Sequence, residues 1–143
     1  MASVAATVKK EQVVLGRMPQ ALGIGVGAAI VLNLLILFVG KALGATFVVP
    51  LGPTQEMTEL PIIAIVLASL IPALAAAGFL AILGRFTARP FFFFQIVGWL
   101  FLVLSLVPPF TMPIDTATAI GLDVMHVVTG AAIILSLVRF TRA

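Results

Sequence analysis

IDTATAIGLDVMHVVTGAAIILSLV, residues 114–138, is the stretch that decides how this chain is read. As a helix it is long enough to cross the apolar core of a bilayer, for which about 20 residues suffice. Asp123 and His126 nevertheless fall in its middle third. Ionisable groups at that depth are costly to insert, and they are kept where they pair, bind a ligand or carry protons. Asp123 and His126 are three apart, so a helix projects them from one face, and Thr129 continues that stripe. Gly130, four beyond His126, opens space beside the imidazole.

Working outward, 62% of the 143 residues are apolar and 9% are charged. A soluble domain cannot cover its surface with so few charges, so lipid is the solvent for much of the chain. The length allows one domain, residues 1–143, of a few spans. The absence of cysteine excludes thiolate metal sites, disulfides and thiol nucleophiles. The net charge of +3 does not call for nucleic acid, because the basic residues flank apolar runs where lipid head groups meet them.

Residues 1–19 read as an amphiphilic lead-in. Lys9, Lys10 and Arg17 suit an anionic lipid surface, with Val13, Val14 and Leu15 at the interface; a partly disordered tail is the alternative. The apolar run from Ala21 to Val49 is twice the length of a secretory leader's core, so it reads as a retained first span, 20–46. Within it Gly23 and Gly27, and again Gly40 and Gly44, are four apart, a spacing that lets another helix approach closely. The proline-rich link 48–61 carries Glu56 and Glu59, and Thr58 is a candidate cap for the second span, 61–83. Pro72 removes a hydrogen bond inside that span and kinks it. The third span, 90–107, opens on Phe91–Phe94, which read as lipid-facing anchors. Asp115 is placed to cap the fourth, 115–138.

Lys9, Lys10, Arg17, Arg85, Arg89, Arg139 and Arg142 fall on one side of these spans; the other side holds Glu56, Glu59 and Asp115. The positive-inside rule puts both termini and the 84–90 loop in the cytoplasm. The expected fold is all-α, an integral membrane antiparallel four-helix bundle of the cell membrane.

The intramembrane polar cluster comprises Lys41, Asp123, His126, Asn33 and Thr129. Asp123 lies about 12 Å below the outer end of its helix by helical rise, and Lys41 roughly 8–10 Å below the outer end of span one. An ion pair between them is the least costly way to house both, with His126 and Asn33 hydrogen-bonding nearby; a Lys41 whose long stem carries its ammonium to the interface is the alternative. Three functional readings follow. The first is a non-enzymatic accessory subunit packing against other membrane chains or copies of itself, suited by several small-residue faces and short loops. The second is a small transporter or proton-linked carrier using Asp123 and His126. The third is a tetrapyrrole, haem or chlorophyll-type, bound through His126 as axial ligand. No metalloprotease, nucleotide-loop or nucleophile motif is present, and a lone His cannot build a zinc site with Asp123 alone, so neither a catalytic residue nor a metal is assigned.

The segment LDVMHVVTGAAII (122–134), the preceding SLVPPF (105–110) and the basic turn LGRFTARPF (83–91) together resemble a family of small four-helix bacterial membrane proteins catalogued as a domain of unknown function. Met125–His126 is the most specific part of the likeness, and Lys41 lies outside it. The resemblance implies the fold and a bacterial inner-membrane location, and it brings no catalytic or binding residue with it.

Overall fold

Every fourth residue of the first long helix is small or buried: Ala21, Gly25, Ala29, Asn33 and Leu37. That ridge sets the architecture, because it lies along the last helix over most of its length. A computed structural model describes residues 10–143. A 3-10 turn at Leu15–Arg17 leads into α1, Met18–Ala42, followed by strands β1, Val48–Leu51, and β2, Glu56–Glu59. The remaining elements are α2, Ile62–Phe86; α3, Pro90–Ser105; a single turn α4, Pro108–Thr111; and α5, Thr116–Thr141. Among the described residues four helical segments are long and apolar enough to cross a membrane. The described residues are all-helical apart from one hairpin and an isolated bridge between Val13 and Arg142.

Helix α5 is the element the others share. Its most extensive contact is with α1, and it also meets α2, α3 and α4. The α1–α5 approach is close because Gly25 has no side chain: a Cβ there would lie 3.1 Å from the Ala132 carbonyl and against Ser136. Gly23 and Gly27, expected to be the packing pair, instead face outward with open space beside them. Only 22–28% of the apolar window of each spanning helix is buried within the chain, so most of the apolar surface faces outward.

Two apolar clusters form the interior. One joins Met18, Ala21, Leu80, Phe91, Phe94 and Leu137 toward the chain ends; the other joins Leu37, Phe47, Ile65 and Met125 toward the hairpin. Phe91 and Phe94 are therefore buried, whereas Phe92 and Phe93 point outward, so half of the aromatic quartet anchors the core and not lipid.

Both ends differ from the sequence expectation in instructive ways. Helix α1 stops at Ala42, four residues short, because Gly44 takes φ +101 and the Ala45 amide turns back to the Gly40 carbonyl. The link to α2 is an antiparallel hairpin pairing Val48 with Glu59 and Leu51 with Glu56, so Thr58 sits in a strand and α2 starts after Pro61. Helix α2 runs on to Phe86, through Pro72, and α5 to Thr141. Span three ends as a helix at Ser105 and resumes as α4. Lys9 lies outside the described residues. Residues 11–14 run as an extended strap: Glu11 N–H donates to the Ala88 carbonyl, Val14 N–H to the Thr141 carbonyl, and Val13 packs over Gly84.

Candidate functional site

Between the two apolar clusters the helices do not close. A partly open cavity of about 560 Å³ lies among α2, α3 and α5, with Asn33 of α1 reaching its wall. Its α2 side is mostly small residues, Ala64, Ala68, Pro72, Ala75 and Ala76, with Ile65 and Phe79 as the bulky exceptions. Phe79, Phe94 and Phe101 supply aromatic surface. Well-packed interiors leave few voids larger than a water molecule, so a space of this size is a feature of the fold. Within the range of small-molecule sites it is of ordinary volume.

The polar groups converge on one side. Asn33 is 4% exposed and donates through Nδ2 to Thr129 Oγ1 at 2.7 Å, joining α1 to α5. Its Oδ1 is buried and has no partner among the described residues. One turn away on α5, His126 Nδ1 lies 2.7 Å from the Leu122 carbonyl. A carbonyl only accepts, so Nδ1 carries the proton, and in the neutral form of the ring Nε2 is the acceptor. His126 is exposed on the cavity wall. Among the described residues the wall contains no Lys, Arg, Asp or Glu.

Of the expected polar cluster, the fold brings together Asn33, Thr129 and His126. It does not bring Lys41 to Asp123. Lys41 is the penultimate residue of α1, at the mouth of the protein, and its ammonium pairs with the Glu59 carboxylate on β2. The depth estimate failed because α1 ends early, which lifts Lys41 to the hairpin. Asp123 Oδ1 is buried without a partner among the described residues. Gly130 does not leave the expected room beside the imidazole: a Cβ there would come within 2.7 Å of Leu102, so its space is taken by α3.

The residues fit only part of a tetrapyrrole. Nε2 of His126 is free for an axial bond, but haem carboxylates would find no cation in this wall.

A second polar knot, not foreseen as a unit, closes the hairpin end. Asp115 caps α5, as expected, accepting the Thr118 N–H at 2.8 Å. Its other oxygen accepts the hydroxyls of Thr118 and Thr46, each at 2.6 Å, and Thr118 Oγ1 in turn accepts the Phe47 N–H at 2.9 Å. The Thr118 hydroxyl above all, then the Thr46 hydroxyl and the Thr118 amide, hold the Asp115 carboxyl well below the usual carboxylate range. The sequence signal for this knot was the Asp115-x-x-Thr118 spacing; Thr46 comes from 69 residues away and carried none.

With this geometry described, comparison with protein families gives one match, described as Family of unknown function (DUF6069), over residues 14–143. The chain belongs to DUF6069. The resemblance carried by residues 83–91, 105–110 and 122–134 therefore holds, and it spans nearly the whole chain. Comparison with curated proteins and with solved structures gives no match. DUF6069 membership supplies no activity, so function rests on the cavity and its polar wall.

Proposed function

We propose that this chain is a non-enzymatic, multi-pass protein of a bacterial inner membrane that serves as a small accessory subunit and holds a lipid-soluble molecule in its intramembrane cavity. In this reading the helices form an antiparallel four-helix bundle with both termini cytoplasmic. Support for the orientation comes from charge: Arg85 and Arg89 on the α2–α3 turn and Arg17, Arg139 and Arg142 near the chain ends are basic, whereas Glu56, Glu59 and Asp115 occupy the opposite links. Support for a subunit role comes from the outward Gly23–Gly27 edge of α1, where a neighbouring membrane chain or second copy can approach closely.

The cavity carries the binding part of the proposal. It separates two apolar clusters, its α2 wall is mostly small residues, and Asn33, Thr129 and His126 converge on another side. Native mass spectrometry of the protein from mild detergent tests it. A small molecule retained at one per chain is expected, along with its loss when Ala68→Phe and Ala75→Phe fill the space. Retention unchanged in the filled variant, or nothing retained by the wild type, overturns the binding reading; a chain that migrates alone on a native gel overturns the subunit reading.

Asp123 favours a second reading, a proton-linked carrier, because a buried carboxylate oxygen without a partner suits proton exchange. Flux in proteoliposomes that is unchanged by Asp123→Asn removes it.

A further inference from the structure

Two acceptor atoms of the cavity wall have no hydrogen-bond partner among the described residues. Asn33 Nδ2 is engaged by Thr129, His126 Nδ1 by the Leu122 carbonyl, and Ser105 Oγ by the Leu102 carbonyl at 2.6 Å. The atoms left with no partner at all are Asn33 Oδ1, which is buried and without a partner among the described residues, and His126 Nε2, beside the second Asn33 amide hydrogen and the Thr129 hydroxyl hydrogen. Asn33 is bonded to Thr129, which stands three residues from His126, so the two acceptors lie about one helical turn apart along α5. A buried acceptor left unmade is costly, and a ligand that donates to it recovers that cost. With no Lys, Arg, Asp or Glu among the described residues of the wall, a charged head group would find no carboxylate, ammonium or guanidinium as counter-ion.

We infer that the cavity takes a neutral, lipid-soluble molecule whose head group donates hydrogen bonds through hydroxyls to Asn33 Oδ1 and His126 Nε2. This rests on the binding reading above and specifies its ligand. A membrane hydroquinone, with two hydroxyls, can meet both acceptors, and a lipid alcohol such as a diacylglycerol, with one, can meet either. The aromatic surface of Phe79, Phe94 and Phe101 suits the body of either.

The test uses the full chain in phosphatidylcholine nanodiscs, with reductant present for the hydroquinone and left out for the quinone, and occupancy titrated by native mass spectrometry. The probes are a short-tailed hydroquinone, its dimethyl ether and its oxidised quinone, and dioctanoylglycerol with its methyl ether. At least one hydroxylated probe binds about tenfold or more tightly than its own ether, the equivalent of one or two hydrogen bonds. Whichever probe shows that preference identifies the source. Asn33→Leu and, separately, His126→Phe reduce the preference while the ether still binds, which reports an intact cavity. Ethers that bind as well as their parents overturn the inference and leave the cavity reading standing. A quinone, which only accepts, binding better than its hydroquinone also overturns it, as does a preference that both variants leave unchanged. If no probe binds, the cavity reading falls with it.

Discussion

Asp115, Thr118 and Thr46 form a knot in which a single carboxylate receives an amide and two hydroxyls. Because the folded carboxyl is held below its unfolded value of 3.8, its stabilisation is complete above that pH and is lost as pH falls through the folded value. Asp115→Ala therefore lowers the thermal midpoint at pH 7. The gap to wild type narrows on acidification below 3.8, read by circular dichroism in detergent; a gap that widens there contradicts the knot. The Asn33–Thr129 bond predicts a cycle of a different kind. Thr129→Val alone strips a buried amide of its partner and costs about 1–3 kcal/mol, and adding Asn33→Leu returns part of that loss. Chemical unfolding of the three variants checks it, and a fully additive double variant refutes the bond. Lys41 belongs to a milder class. Its pair with Glu59 leaves the two side chains 35% and 64% exposed, so Lys41→Met shifts stability by no more than about 1 kcal/mol, and the same unfolding measurement decides it.

At the scale of elements, Phe47 joins the hairpin to the helices. It is fully buried and holds φ +49, a left-handed backbone that costs a bulky residue of order 1 kcal/mol or more. Its ring is clasped between glycines of two helices: a Cβ at Gly40 would lie 2.6 Å from it and one at Gly121 2.7 Å. Gly40→Ala and Gly121→Ala each force the ring to move and destabilise by about 1–3 kcal/mol, despite the better helix propensity of alanine. Phe47→Leu in the same background relieves part of the cost, measured as recovery of the thermal midpoint; no recovery would place the strain elsewhere. The GKALGATF run showed glycines four apart, and that spacing reads equally well as a helix–helix contact. Which partner fills the notch depended on where α1 stopped, and Gly44 in its positive-φ turn decided that.

Across the whole molecule, strap, C-terminus and α2–α3 turn gather at one end, where Arg142 stacks 4.7 Å over the Phe91 ring and Glu11 accepts the Phe91 N–H. The hairpin and the Asp115 knot close the other. Between them α2 and α3 pack against α5 but leave the cavity open. The chain has no cysteine, so single cysteines report sidedness without background. Glu56→Cys in the hairpin reacts with an impermeant maleimide in intact cells, and Ala88→Cys in the α2–α3 turn reacts only after permeabilisation. The reverse pattern overturns the proposed orientation.

The sequence alone determined the class of protein, the number of long helices and the cap of the last one, because these depend on local quantities: apolar run length, charge between runs and an Asp placed three residues before a Thr. It also singled out Asn33, His126 and Thr129, since polar side chains within apolar runs stand out without any structure. Tertiary structure alone decided their partners. Lys41 met Glu59 and not Asp123 because one glycine turn shortened α1, and Asn33 met Thr129 because Gly25 brings α1 against α5. The cavity had no local signature. It arises where small residues on α2 face α3 and α5 across a gap, and a void is a property of several helices at once.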